Sequence, residues 1–210
     1  MLRFEKKAKR DGYQLIIGVD EAGRGPLAGP VVASAVALRN YKFTSKIADS
    51  KKITARQREE AFHEIFNKAF VGVGIMSEAV IDRVNILEAT YLAMHNAVNQ
   101  LIAQVPHPQK EDGDFPEKVC LLIDGHRFKS DLPYFYQTVV KADESIMSVA
   151  CASIVAKVIR DRILEIYDRI FPGYGFRKHK GYPTVQHKKA ILKLGPSLIH
   201  RKSFHPHFEI

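Results

Sequence analysis

The stretch Leu15-Ile16-Ile17-Gly18-Val19-Asp20-Glu21-Ala22-Gly23-Arg24-Gly25-Pro26 decides the fold, because an apolar run rich in β-branched residues ends there on two adjacent acids and a glycine turn. Leu15 to Val19 reads as a buried strand. Carboxylates at the end of such a strand are costly unless a cation compensates them, and a divalent metal is the usual compensation. Successive side chains on a regular strand point to opposite faces, so Asp20 and Glu21 share a site only if the strand ends or twists there. Gly23 permits that break.

Working outward, Pro30 to Leu38 reads as the next strand, joined to the first by the glycine-rich turn, and Phe70 to Met76 as a third. Between them Thr54 to Ala69 is a helix capped by Thr54 and amphipathic through Ala61, Phe62, Ile65 and Phe66. A second helix runs from about Ile86 to Val105, with Leu87, Tyr91, Met94, Val98 and Leu101 on one stripe. Pro106 to Lys118, polar and holding three prolines, reads as a surface loop before the strand Val119 to Ile123. Thr138 to Ala142 is strand-like, and Ser145 to Phe171 is a long helical segment whose Ala150, Cys151, Ala152, Ser153 and Ala156 let it lie close to a sheet. The last forty residues read as loop and short helix crowded with Lys, Arg, His and Tyr. Without an internal repeat or linker, residues 1–210 are expected to form a single α/β domain.

The 210 residues include 46% apolar side chains, enough for a full core. A net charge of +9 favours an acidic partner, most simply nucleic acid, although an inert basic surface has the same charge. Cys120 and Cys151 lie in apolar segments and read as buried thiols of a reducing compartment. No apolar run reaches the roughly 18 to 20 residues of a membrane span, and Met1 to Arg10 lacks a signal-peptide core, so a cytoplasmic protein away from membranes is expected.

Two further acids belong with Asp20 and Glu21. Asp124 ends the strand Val119 to Ile123 and is followed by Gly125; Asp143 follows Thr138 to Ala142 and precedes the long helix. Each has an ordinary reading, Asp-Gly being a common turn and an aspartate before a helix a common N-cap. Paired acids on a buried strand end are seldom structural. Several carboxylates around hard cations suit phosphoryl transfer assisted by two metals about 4 Å apart. Such a site leaves ligand positions for water and substrate phosphate. With no obvious protein nucleophile, water activated by the metal is the natural attacking group.

At this point the sequence resembles bacterial ribonuclease HII over nearly its whole length. The matching segments are Gly18 to Ala33, Asp49-Ser50-Lys51-Lys52, Asn85-Ile86-Leu87, Leu122-Ile123-Asp124-Gly125, Ser148 to Asp161, His179-Lys180-Gly181-Tyr182-Pro183-Thr184, and His200-Arg201-Lys202-Ser203-Phe204. The resemblance implies a ribonuclease H-like mixed central sheet flanked by helices, with a helical C-terminal extension. It implies Asp20, Glu21, Asp124 and Asp143 as catalytic acids holding two divalent ions, Mg²⁺ or Mn²⁺. The implied substrates are RNA–DNA hybrids and DNA containing ribonucleotides, cut 5′ of the ribonucleotide to leave 5′-phosphate and 3′-hydroxyl ends, by a monomeric enzyme.

The resemblance also assigns substrate-binding residues. Gly23, Arg24 and Gly25 match the turn that reads the 2′-hydroxyl at an RNA-to-DNA junction, and Tyr182 the tyrosine that stacks on the next sugar. A 2′-hydroxyl both donates and accepts, so closely approaching backbone groups suit it. Tyr182 could also be a half-buried core aromatic. Lys51 and Lys157 resemble positions near phosphate, and either could instead be a solvated charge. Ala142 stands where the family usually has glycine, and Ile53 where leucine is common. The Gly23-Arg24-Gly25 turn separates the chain from the related type III enzymes, which carry an extra N-terminal domain for which residues 1 to 14 leave no room.

Three rival readings have less support. Gly23, Gly25 and Ala28 fit a dinucleotide-binding spacing, but Asp20 and Glu21 would repel a pyrophosphate and Pro26 and Pro30 oppose a helix there. His179, His187, His200, His205 and His207 suggest zinc without the paired cysteines or H-E-x-x-H spacing of a zinc site. A non-catalytic nucleic-acid-binding module would gain from losing four acids beside phosphates.

Overall fold

The computed structural model describes residues 1–106 and 118–204. Residues 107–117 of the expected surface loop, and His205 and His207, lie outside the described residues. The quoted stretch forms β1 (Leu15–Ala22), and it is followed by β2 (Val31–Leu38), β3 (Ala69–Met76), β4 (Val119–Asp124) and β5 (Phe135–Val139). These make one sheet in the order β3-β2-β1-β4-β5, antiparallel from β3 to β1 and parallel from β1 to β5.

Helices cover both faces of the sheet, which is why its inner strands are apolar without alternation. On one face α3 (Glu78–Val84) and α4 (Ile86–Ile102) pack on Ile17, Val19, Leu121 and Ile123. On the other lie α1 (Arg3–Arg10), α2 (Ala55–Lys68) and α6 (Met147–Ile170). There Gly18 matters for what it lacks: a Cβ would stand 2.2 Å from the Ser148 carbonyl carbon, so its absence lets α6 rest directly on β1. The short α5 (Ala142–Ser145) precedes α6, and α7 (Phe176–His179) and α8 (Val185–Leu194) form the C-terminal extension. That extension packs through Tyr174, Phe176 and Ile199 against Ala28 and Leu164.

Most expected elements appear within a few residues, and α2 starts with a full capping box between Thr54 and Gln57. Around Asp143 the structure differs from the expectation. The strand there is Phe135–Val139; Lys141 then turns the chain at φ 54°, and Ala142 opens a separate helical turn. Asp143 lies inside that turn and is not an N-cap. The orphan amide at the start of α6 is instead taken by Glu5 of α1, whose carboxylate accepts from Ser148 N at 3.0 Å and Ser148 Oγ at 3.1 Å. Cys120 and Cys151 are buried free thiols. No helix among the described residues is long and apolar enough to cross a membrane.

Candidate active site

The two inner parallel strands end together, and that places the acids. Pairing of β1 with β4 stops at Val19 opposite Ile123, while pairing with β2 continues through Ala22. The strand runs on through Asp20 and Glu21, and the break comes after Ala22, where Gly23, the residue expected to permit it, adopts φ 102°. Asp20 and Asp124 emerge at the carboxyl ends of adjacent parallel strands, the usual place for ligands in such sheets. A cleft of about 400 Å³ there is lined by all four acids, by Gly23, Arg24 and Gly25, and by Lys51, Lys157 and Tyr182. Every site residue singled out in the sequence is thus brought to one place.

Local bonds fix the carboxylates. Asp20 is only 5% exposed, and its Oδ1 accepts from Glu21 N at 2.7 Å. Asp124 Oδ1 accepts from Ala142 N at 2.7 Å, so the second acid anchors the turn that carries Asp143. Ala142 opens the helical turn α5 and is fully buried, so its methyl group is accommodated there. Arg24 Nη1 reaches Glu21 Oε1 at 3.3 Å, and Lys157 Nζ pairs with Asp161 at 2.7 Å.

The site is electrostatically unfavourable by itself. Burial raises the Asp20 carboxyl well above the usual carboxylate range, and the charges of Glu21 and Asp124 raise it further. Burial also raises Glu21, against the opposing pull of Arg24 and Lys51. Asp143 is pushed up to about 6 by burial, then by Asp124 and Asp49. Among the described residues no group of three or more His, Cys, Asp or Glu side chains is gathered tightly enough to hold a metal alone. The donor set nonetheless fits a hard divalent ion that keeps several waters and completes its shell with substrate phosphate.

A stability measurement can isolate Asp143. Its folded-state pKa, about 6, exceeds the ordinary 3.8, so the folded protein holds that proton more tightly than the unfolded chain. The resulting stability is fully present below the unfolded value and is lost as pH rises through the folded value. The buried histidines act in the opposite direction, so the quantity to measure is the unfolding free energy of wild type minus that of Asp143→Asn, without metal. This difference should fall as pH rises from about 4 to about 7. A flat or rising difference would show that the fold does not hold the Asp143 proton more tightly than the unfolded chain does.

The glycine turn is held from beneath by two buried arginines. Arg201, 2% exposed, donates from Nη2 to Gly23 O at 2.6 Å and from Nη1 to Arg24 O at 3.0 Å, and also binds Gly29 O. Arg160, 1% exposed, donates to the carbonyls of Ala28, Pro30 and Lys180. In a trans peptide the N–H points opposite to the C=O. With the carbonyls of Gly23 and Arg24 turned to Arg201, the amides of Arg24 and Gly25 face the other way. Neither donates to a protein acceptor among the described residues.

The family model for Ribonuclease HII matches residues 17–207. A Ribonuclease HII from Geobacter sulfurreducens is 48% identical over 202 residues, covering 96% of this chain and 87% of that one. The chain belongs to the ribonuclease HII family. Among solved structures, the RNase HII of a PCNA complex from Archaeoglobus fulgidus superposes with a TM-score of 0.71 at 23% identity, over 93% of this chain and 98% of that one. The ribonuclease H2 of Pyrococcus horikoshii OT3 gives 0.68 at 25% identity, over 91% and 94%. The expected ribonuclease H-like sheet is therefore the observed one.

Reading the sequence missed several residues of this ribonuclease HII cleft. Ser50 and Ser153 line it with their hydroxyls 2.9 Å apart, and Ser153 eases the charge on Asp20 slightly. Asp49 is buried beside Asp143. All three lie in segments that carry the family resemblance, which was the available signal. Arg160 and Arg201 lie in such segments too, but their partners are main-chain carbonyls that no pattern of residue types reveals.

Proposed function

We propose that the protein hydrolyses the RNA strand of RNA–DNA hybrids and incises 5′ of single ribonucleotides in duplex DNA. The observation that carries this reading is the convergence of Asp20, Glu21, Asp124 and Asp143 in a cleft shared with the Gly23–Gly25 turn and Tyr182. As a member of the ribonuclease HII family the protein is a metal-dependent endoribonuclease. Two divalent ions at the four acids, Mg²⁺ or Mn²⁺, would activate the attacking water and offset charge developing on the phosphate.

The chain's own residues do the positioning. Asp124 fixes Asp143 through the Ala142 amide, so the two carboxylates are oriented as a unit. The open amides of Arg24 and Gly25 are suited to a 2′-hydroxyl, and deoxyribose offers them no acceptor. Tyr182, 41% exposed at the cleft, presents a ring for the following sugar. Lys51 and Lys157 hold the backbone phosphates, with Lys157 oriented by Asp161. Acting as one domain over residues 1–210 and as a monomer, the protein would work in the reducing cytoplasm, which suits its two buried free thiols.

The direct test is cleavage of a DNA duplex carrying one ribonucleotide against an all-DNA control, with Mg²⁺ and with chelator. Cutting of the ribonucleotide duplex alone, and only with metal, is expected. Tight binding without cutting would favour a pure nucleic-acid-binding module. Binding also tests Lys51. If it meets a phosphate, Lys51→Ala should lower the slope of log affinity against log salt by about one. An unchanged slope would return Lys51 to the solvated surface.

A further inference from the structure

Beneath Tyr182 lies a cluster of three buried histidines with no part in metal binding or proton transfer. His179, His187 and His200 are each at most 8% exposed, and all six of their ring nitrogens are engaged. Zinc has no free nitrogen to take. The bonding fixes the protons. Ser197 N–H can only donate, and it meets His200 Nδ1 at 2.8 Å, so that nitrogen is bare and His200 carries its proton on Nε2. At the other end the Tyr182 carbonyl can only accept, and it lies 2.9 Å from His187 Nδ1, which therefore carries the proton. The two assignments agree in the middle, where His200 Nε2–H donates to His187 Nε2 at 3.0 Å. His179 follows the same logic: its Nδ1 accepts from Gly181 N at 3.2 Å and its Nε2–H donates to Tyr174 O at 2.9 Å.

We propose that this relay, from Ser197 through His200 and His187 to the Tyr182 carbonyl, sets the placement of the Tyr182 ring over the cleft, so that His187 is a positioning residue for the RNA-to-DNA junction. The inference rests on the reading of Tyr182 given above. The relay works in only one polarity and only with neutral rings, since a second proton on any of the three would face another donor. Burial holds all three histidines below their ordinary range, His187 at about 4, which keeps them neutral in use. The same segment is tied to the glycine turn: Leu27 N donates to Gly181 O at 2.8 Å and Arg201 N to Leu27 O at 2.9 Å. His200 and Arg201 are neighbours in sequence, so one strand of chain supports both the tyrosine and the turn.

Two substitutions of His187 separate positioning from support. An asparagine amide can stand where Nδ1–H stood and keep the bond to Tyr182 O, whereas a glutamine reaches the Nε2 position and keeps only the bond to His200. Both open space in the same buried site and should lower the melting temperature alike. The readout is the ratio of cleavage rates on a single-ribonucleotide duplex and on a long RNA–DNA hybrid, with Mg²⁺, for wild type, His187→Asn, His187→Gln and Tyr182→Ala. His187→Asn should keep a ratio near wild type, and His187→Gln should lower it about tenfold, because a misplacement of about 1 Å can cost up to roughly 100-fold. Equal ratios in the two histidine variants, with Tyr182→Ala lowering its own, would overturn the relay alone. An unchanged ratio in Tyr182→Ala would overturn the reading of Tyr182, and the relay's role with it. Nitrogen NMR of the wild-type protein supplies a test independent of variant folding: a proton on Nε2 of His187, in place of Nδ1, would reverse the relay and remove the proposal.

Discussion

Asp124→Asn should lower the single-turnover cleavage rate by about a thousandfold or more while the fold survives. The loss follows from removing one carboxylate charge from a site that must hold divalent ions; several kcal/mol of lost stabilisation corresponds to about three decades of rate. Survival of the fold follows from the bond Asp124 makes. Its Oδ1 accepts from Ala142 N at 2.7 Å, and an asparagine oxygen can do the same. Asp20→Asn should be equally inactive but more stable than wild type without metal at neutral pH, because burial and the neighbouring charges of Glu21 and Asp124 already oppose ionisation there. Saturating Mg²⁺ should reverse that order, since only the intact acid set gains from binding. Near-normal turnover in Asp124→Asn would remove Asp124 from the site, and an Asp20→Asn protein less stable than wild type at every Mg²⁺ level would refute the crowding of charge.

What the sequence revealed of this site depended on whether the cause was local. Asp20, Glu21 and Asp124 were legible because an apolar strand running into acids and glycine is an anomaly in the chain itself. The strand carrying Phe135 and Tyr136 was not: it is an edge strand whose side chains are exposed or half-buried, and Tyr-Gln-Thr offers little hydrophobic contrast. Nor was the helix Arg3–Arg10, where charge hid the two residues that matter, the buried Ala8 and Glu5. Arg160 and Arg201 lay furthest from reach. Each satisfies backbone groups brought near only by the fold, such as Gly23 O at a separation of 178 residues from Arg201. Side-chain type could not announce them.

The same contrast makes Gly25 the sharper test of the junction-reading turn. Gly23→Ala would place a Cβ 2.1 Å from Arg160 Nε at φ 102°, so its failure would report on folding. At Gly25 an added Cβ meets only Tyr182 Cε1, at an ordinary 3.7 Å, and the backbone there is not in the left-handed region. Gly25→Ala should therefore fold normally, with its methyl group placed between the turn and the tyrosine, where the proposed ribose would sit. It should cut cleavage at a single embedded ribonucleotide severely. Tyr182→Ala should cost about one to two decades of rate or affinity on that substrate, if the ring's contact with the sugar is of the same order as aromatic stacking on a base, roughly 1 to 3 kcal/mol. Tyr182→Phe should keep most activity, because the phenol hydroxyl makes no hydrogen bond to the protein among the described residues. Long RNA–DNA hybrids offer many registers and should suffer less from Tyr182→Ala than the single-ribonucleotide duplex. The decisive quantity is the ratio of rates on the two substrates for each variant, alongside its melting temperature. Equal losses on both substrates at unchanged stability would make Gly25 and Tyr182 parts of general substrate binding, and recognition of the 2′-hydroxyl would then have to come from elsewhere in the cleft.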